Sequence, residues 1–181
     1  DGIESDVRVK IMEPIIRALA ERGTPYQGVL YAGLMITGDG PKVIEFNCRL
    51  GDPEAQVILP RLKNDLLEIM VKTSDGRLNE LNLEWDDRAC VGVVMVSGGY
   101  PNNYTNGFKI NGLGDLDSHT MVFHAGTDYS GKEDIFTKGG RVLTLACFGE
   151  DIDSARSNTY SEVGRLDFKD VFYRKDIAGF V

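Results

Sequence analysis

Glu45, Asn47 and Arg49 alternate along a short predicted strand, and their types and spacing indicate a metal–nucleotide site. Successive side chains of an extended chain point to opposite faces, so these three share one face. A carboxylate and an amide carbonyl are oxygen ligands that Mg²⁺ takes beside nucleotide phosphates and water. The Arg49 guanidinium can grip a phosphate or a carboxylate. The alternative is an edge strand whose polar face is merely solvated.

The strand that carries these residues is predicted to belong to an antiparallel hairpin. Residues 29–37 and 42–48 form two strand-like runs, and the Gly-Asp-Gly-Pro sequence between them is strong turn chemistry. The face opposite the polar residues is then expected to lie in the core. Its members are Ile44, Phe46 and Cys48.

A helix is predicted to start directly after the polar strand. Asp52 is interpreted as its N-cap, Pro53 as its first residue and Glu54 as an acid in the first turn. We favour this capping role over direct contact of Asp52 and Glu54 with substrate or metal. The helix should run to about residue 72, with a kink or split at Pro60.

The segment EFNCRLGDPEAQ, residues 45–56, resembles the signature of glycinamide ribonucleotide synthetase, the phosphoribosylamine-glycine ligase family of ATP-grasp enzymes. Leu50 and Ala55 replace the phenylalanine and threonine usual in that family. Further matching segments follow in order along the chain: LYAGLMI at 30–36, SGGYP at 97–101, VFHAGT at 122–127, GGRVL at 139–143 and YRKDI at 173–177. The resemblance therefore covers nearly the whole chain.

The resemblance implies an ATP-dependent ligation of glycine to 5-phosphoribosylamine through glycyl phosphate, as in purine biosynthesis. It implies that Glu45 and Asn47 hold Mg²⁺ or Mn²⁺ and that Arg49, the catalytic residue, faces the transferred phosphoryl group or the glycine carboxylate. Many ATP-grasp relatives carry another acidic ligand on the preceding strand, but residues 29–36 contain no carboxylate. His124 and Thr127 are left out of the predicted catalytic set.

The resemblance extends to roughly the second half of such a ligase, without the amino-terminal domain and the glycine-rich lid. The chain is therefore expected to be inactive alone and to need the missing amino-terminal half as its partner. The implied fold is α+β. Residues 1–85 would be the carboxyl-terminal portion of an ATP-grasp domain, an antiparallel sheet with packed helices, and residues 86–181 a small β-rich domain with one helix.

Local patterns agree with this division. A helix over residues 5–22 should kink at Pro14 and stop at Gly23. In the second part we predict short strands at 89–97, 107–110, 121–125 and 141–148, and a helix over 153–166. The acidic residues around Asp151 are better explained by a helix N-cap than by a calcium loop.

Composition and charge disfavour several classes of protein. The net charge of −8 disfavours binding to nucleic acid or to anionic membranes, which usually requires basic patches. The sequence contains no apolar run long enough to span a bilayer and opens without a secretory leader, so a cytoplasmic location is expected. Cys48, Cys90 and Cys147 lack paired spacing and are expected to be buried thiols.

Two other functions stay open on the sequence. A different ATP-grasp carboxylate-amine ligase or carboxylase would share the Glu, Asn and Arg strand, but not the GDPEAQ turn or the YRKDI ending. A noncatalytic binding module would carry the polar strand as a solvated surface only.

Overall fold

The computed structural model describes residues 2–129, 131 and 134–179. Within them the chain forms two compact units. The first comprises the chain through Asp52 together with Asn64–Leu83, and the second comprises Pro53–Lys63 and the chain from Glu84 onward. The segment directly after the predicted site therefore packs with the second unit, because its apolar side chains contact the sheet of that unit.

The first unit opens with a helical segment interrupted near Pro14. Helix α1 covers Gly2–Val7, a π-helical turn covers Arg8–Met12, and helix α2 covers Glu13–Glu21. The Glu13 N–H bonds the Arg8 carbonyl, a wider spacing than in an α-helix. Pro14 has no N–H to donate, so the predicted irregularity appears as a π-turn. The helix ends before Gly23, whose φ of 78° places it in the left-handed region.

The polar strand lies in the predicted hairpin. Strand β1, Tyr31–Thr37, pairs antiparallel with β2, Gly40–Asn47, and Thr37 stands opposite Gly40 across a two-residue turn. The register shifts at Gly33 and Leu34, where the ladder contains an irregularity. The hairpin prediction is therefore confirmed, with strand ends displaced by one or two residues.

The prediction that the other face of β2 is core is wrong for the described part of the first unit. Ile44 is 65% exposed, Phe46 is 37% exposed, and the Cys48 thiol is also exposed. A two-stranded sheet buries a face only when a second layer packs on it. Strand periodicity predicts which side chains share a face, but not whether that face is covered.

The long helix predicted after Pro53 is split. Helix α3 is only Ala55–Ile58, a 3₁₀ turn follows at Leu59–Arg61, and helix α4 covers Leu66–Ser74. Pro60 lies inside the 3₁₀ turn, so the predicted break is confirmed and is complete.

The predicted N-cap at Asp52 is also wrong. The cap position of α3 is Glu54, which has helical dihedrals and no capping side-chain bond. Asp52, Pro53 and Glu54 form a turn before the helix. The capping aspartate in this region is Asp65, whose carboxylate accepts hydrogen bonds from the Leu67 and Glu68 amides at 2.7 and 3.2 Å. Asp65 is extended, so the chain enters α4 with the geometry that capping requires, whereas it enters α3 from a helical residue.

The second unit is built on an antiparallel sheet with strand order β3-β7-β4. These strands are Ala89–Val96, Arg141–Gly149 and Met121–His124, and a small separate hairpin pairs β5, Thr127–Tyr129, with β6, Ile135–Thr137. Helix α5, Ile152–Val163, packs on β3 and β7. Its N-cap is Asp151 in a capping box with Ser154, as the acidic run predicts.

The core of the second unit lies between this sheet and α5, and it includes Val93, Met95, Leu143, Leu145, Val163 and Phe168. The predicted strand at 107–110 forms only an isolated bridge at Lys109, because Gly107 has a φ of 86° that breaks extended geometry. Strands β5 and β6 were not predicted. Mixed helix and antiparallel sheet confirm the α+β class.

The three cysteines differ in environment, contrary to the uniform burial expected. Cys147 is buried, Cys90 is half-buried and Cys48 is exposed. Desolvation raises the pKa of Cys90 to about 11, and it also raises the pKa of Cys147. None of the helices in the described ranges has the length and hydropathy needed to cross a bilayer.

Candidate functional site

Glu45, Asn47 and Arg49 form one hydrogen-bonded row at the end of β2. The Asn47 amide nitrogen donates to Glu45 Oε1 at 2.8 Å, and Arg49 Nη2 donates to Asn47 Oδ1 at 3.3 Å. Arg49 Nη1 also donates to the Leu50 carbonyl at 2.9 Å, so the guanidinium is anchored at its own end of the row. Strand alternation places Glu45 and Asn47 on one face, and Arg49, in the bend directly after β2, joins them through its bond to Asn47.

The row is open to solvent. Glu45 and Arg49 are exposed, and Asn47 is half-buried. Among residues 2–129, 131 and 134–179, no group of three or more His, Cys, Asp or Glu side chains could hold a metal ion. Strand β1 supplies no carboxylate either, as its sequence YAGLMIT shows.

This donor set matches the way proteins bind Mg²⁺ with nucleotides. Mg²⁺ keeps several waters and is held by one or two protein oxygens together with substrate phosphates, rather than by a complete protein cage. Glu45 and Asn47 carry two such oxygens, although in the observed row the Asn47 oxygen faces Arg49 and would have to turn to meet a cation held by Glu45. The residues therefore suit a cation whose remaining ligands come from phosphate and water.

Gly33 on the neighbouring strand gives Glu45 its space. A Cβ atom at Gly33 would lie 3.2 Å from the Glu45 Cγ, which is closer than ordinary van der Waals contact. Gly33 also sits at the irregularity in the β1–β2 register. Its place inside a strand is the sequence signal that could have identified it, because a glycine there indicates a bulge or close approach.

Tyr26 lies near Cys48, in the bend that follows the site strand. Its hydroxyl donates to the Val29 carbonyl at 2.7 Å and lies beside the Cys48 thiol. Desolvation raises the pKa of Tyr26, and the hydrogen bond with Cys48 adds to the shift. Tyr26 thus ties the chain before β1 to the residue between Asn47 and Arg49.

His124 and Thr127 lie together in the second unit. The His124 Nδ1 and the Thr127 hydroxyl are 3.1 Å apart at the end of β4. His124 is exposed and Thr127 is half-buried. The Nδ1 atom of His124 is thus engaged in a local hydrogen bond with Thr127.

The second unit also contains a cavity of about 620 Å³ that the sequence did not reveal. Glu162, from α5, lines it and is 6% exposed. Its Oε2 accepts from the Asp117 amide at 2.8 Å and from the Thr120 hydroxyl at 3.1 Å. Glu162 therefore fastens the loop before β4 to α5. Because α5 is mostly polar, the sequence pattern does not predict that Glu162 is buried.

Two family comparisons match most of the chain. The ATP-grasp (A) domain of phosphoribosylglycinamide synthetase matches residues 1–55, which include the Glu45–Arg49 row. The C domain of the same synthetase matches residues 90–179.

Curated relatives agree with these matches. The phosphoribosylamine–glycine ligase of Caldanaerobacter subterraneus subsp. tengcongensis is 47% identical over 174 residues, which is 96% of this chain and 41% of the relative. The ligase of Escherichia coli strain K12 is 43% identical over 180 residues, 98% of this chain and 42% of the relative. The chain thus spans about two fifths of the length of the curated relatives it matches.

Solved structures show the same fold. A crystal structure of phosphoribosylamine–glycine ligase from Thermotoga maritima superposes with a TM-score of 0.75 at 30% identity, covering 89% of this chain and 39% of that one. The biotin carboxylase of Campylobacter jejuni gives a TM-score of 0.54 at 16% identity, covering 96% and 38%. This second likeness concerns the fold alone. With its first 55 residues matching the A domain and residues 90–179 the C domain, the chain belongs to the phosphoribosylglycinamide synthetase family.

Proposed function

We propose that this chain is part of an enzyme that joins glycine to 5-phosphoribosylamine at the expense of ATP. The products are glycinamide ribonucleotide, ADP and phosphate. The observation that carries the proposal is the solvent-accessible row of Glu45, Asn47 and Arg49 at the end of β2, inside the range that matches the A domain. Identities of 43–47% with curated ligases over almost the whole chain support the same activity.

In the proposed site, Glu45 and Asn47 hold Mg²⁺ or Mn²⁺ through their side-chain oxygens. When bound, such an ion neutralises charge on the β- and γ-phosphates of ATP. Arg49 supplies the planar fork that suits a phosphoryl group or the glycine carboxylate. Its anchorage to the Leu50 carbonyl limits the positions that the guanidinium can take.

The proposed reaction has two displacements. A carboxylate oxygen of glycine attacks the γ-phosphorus, and the bond from that phosphorus to ADP breaks, which gives glycyl phosphate. The amine nitrogen of 5-phosphoribosylamine then attacks the acyl carbon, the carbon–oxygen bond to phosphate breaks, and the nitrogen loses a proton. Such chemistry depends mainly on positioning and on neutralising charge, so Arg49 acts by orienting the anion rather than by proton transfer.

We also infer that the site needs sequence outside this chain. The apolar side chains of β2, Ile44 and Phe46, are exposed in the first unit, as expected of a sheet face that further parts of an ATP-grasp domain cover. The isolated chain is therefore proposed to lack turnover. We retain the division at residues 85 and 86 and a cytoplasmic location as parts of the same proposal.

Complementation tests the proposal. The chain is mixed with the amino-terminal segment of the Escherichia coli ligase that it does not match, and ADP release is measured with glycine and phosphoribosylamine. Turnover should appear only when both polypeptides and both substrates are present. Glycine-independent ADP release, or none after complementation at any protein concentration up to the solubility limit, would contradict it.

Variants then test the site. Glu45→Gln and Asn47→Ala should each abolish metal-dependent turnover while the circular dichroism spectrum is unchanged. Asp39→Asn is the matched control, because it makes the same carboxylate-to-amide change in the exposed turn of the same hairpin. Normal turnover in the Glu45 and Asn47 variants would refute their assignment.

A further inference from the structure

The orientation of the Asn47 amide is dictated by its two neighbours. Its nitrogen faces the Glu45 carboxylate at 2.8 Å, and its oxygen faces the Arg49 guanidinium at 3.3 Å. The reversed amide would set oxygen against carboxylate and N–H against guanidinium, losing both bonds. The observed row is therefore a closed arrangement, in which the Asn47 N–H group is paired with Glu45 and the Asn47 oxygen is paired with Arg49.

This closed arrangement is incompatible with a cation shared by Glu45 and Asn47. An amide ligates a metal through its oxygen, but Asn47 presents its nitrogen to Glu45. To face the same ion as Glu45, the amide must turn by roughly half a rotation about its Cβ–Cγ bond, a soft torsion in asparagine. That turn removes the acceptor from Arg49 and brings N–H groups toward the guanidinium.

We propose that Asn47 is a two-position switch that couples cation binding to the release of Arg49. This inference rests on the proposed function, since it deepens the roles of the same three residues. With no cation, Arg49 is held against Asn47. With a cation on Glu45 and Asn47, the guanidinium loses that partner and is free to bind an anion, retaining its contact with the Leu50 carbonyl.

The coupling must act in both directions, because linkage between two binding events is reciprocal. An anion that draws Arg49 away from Asn47 frees the amide to turn, and this favours the cation. The energy at stake is that of one long hydrogen bond, 3.3 Å, to an exposed guanidinium, and solvent screening makes it weaker than a buried bond to a charged group. We therefore expect a coupling of about two- to tenfold in affinity.

Nuclear magnetic resonance of the ¹⁵N-labelled chain tests the switch directly. Mg²⁺ is titrated while the Asn47 side-chain amide and the Arg49 Nε signals are followed. We expect the Asn47 and Arg49 signals to shift with the same midpoint. The nuclear Overhauser effect between the Asn47 side-chain amide protons and the Glu45 side-chain protons should disappear at saturation. An Asn47 amide that keeps this contact in saturating Mg²⁺, or an Arg49 signal that stays unchanged, would overturn the switch while leaving the metal site in place.

A variant separates the hydrogen bond from charge. Arg49→Met should tighten Mg²⁺ binding two- to tenfold at high ionic strength, where repulsion between exposed cations is screened. Lys42→Met, which removes an exposed positive charge from the same strand, is the control and should change the midpoint little. Equal midpoints for Arg49→Met and wild type would refute the switch. If Mg²⁺ shifts no signal of Glu45 or Asn47, both the switch and the proposed metal ligands are refuted. Failed complementation, without that result, bears only on the ligase activity.

Discussion

Replacing Glu162 by alanine should destabilise the second unit by about 2 to 3 kcal/mol. The carboxylate is 7% exposed in its side chain and accepts bonds from the Asp117 amide and the Thr120 hydroxyl. Hydrogen bonds to charged acceptors contribute about 1.5 to 3 kcal/mol each. Two such bonds set the upper limit of the effect.

Two features of the site lower the estimate. The cavity beside Glu162, about 620 Å³, admits water that can satisfy the Asp117 amide after truncation. The Thr120 hydroxyl already lies 3.9 Å from the Cys147 sulfur and can turn toward it. The contact with Arg165 at 3.4 Å adds little, since an arginine 47% exposed forms a largely screened pair.

Urea unfolding followed by tryptophan fluorescence measures the effect. Trp85 is the single tryptophan of the chain and belongs to the second unit, so its signal reports the unit that contains Glu162. Glu162→Ala should lower the midpoint at an unchanged slope. Glu162→Gln should cost only about 1 kcal/mol, because the amide oxygen can still accept from Asp117.

The control is Glu150→Gln, which changes an exposed acid of the same unit and should stay within about 0.5 kcal/mol of wild type. A Glu162→Ala midpoint no lower than that of this control would show that the carboxylate does not fasten the loop. Equal losses for Gln and Ala would show that the negative charge of the acceptor, rather than packing, is responsible, because Gln keeps the volume of Glu162.

Two further predictions concern capping and thiol chemistry. Asp65→Ala should destabilise the first unit by about 1 kcal/mol in urea unfolding followed by far-ultraviolet circular dichroism, because two α4 amides lose their acceptor. Asp52→Ala should cost less, and the reverse order would contradict the assignment of the cap. With Ellman's reagent at pH 8, the exposed Cys48 should react fastest in the folded chain, because desolvation keeps the Cys90 and Cys147 thiols protonated and burial shields Cys147. Mass spectrometry of the modified chain would identify the thiol, and rapid labelling of Cys147 without denaturant would refute the prediction.

Local sequence rules were reliable where the interactions are local. The hairpin, the break at Pro60, the irregularity at Pro14 and the cap at Asp151 all follow from backbone chemistry within a few residues. The common face of Glu45 and Asn47 follows from strand alternation in the same way, whereas Arg49 lies in the bend after β2 and joins them through its bond to Asn47. The family follows from motifs that recur in order along the chain.

Local rules failed where the outcome depends on distant parts of the chain. Asp52 is of a residue type that often occupies the N-cap. The helix nevertheless begins later, because the residues after Pro53 pack with the second unit. The role of Gly33 depends on Glu45 across the strand pair, and the role of Glu162 depends on the Asp117 amide in a distant loop. A glycine inside a strand is a local signal for Gly33, but it does not name Glu45 as the neighbour, and the burial of Glu162 has no such signal.

From the order of residues alone, one can tell which side chains lie on the polar face of β2, which turns interrupt the helices, and to which family the chain belongs. Folding in three dimensions settled different matters: the closed hydrogen-bonded row from Glu45 to Arg49, the exposure of Ile44 and Phe46, and the burial of Glu162. The physical reason is that alternation and capping act between neighbours in sequence. Burial and hydrogen-bond partners, in contrast, depend on which surfaces meet after the chain has folded.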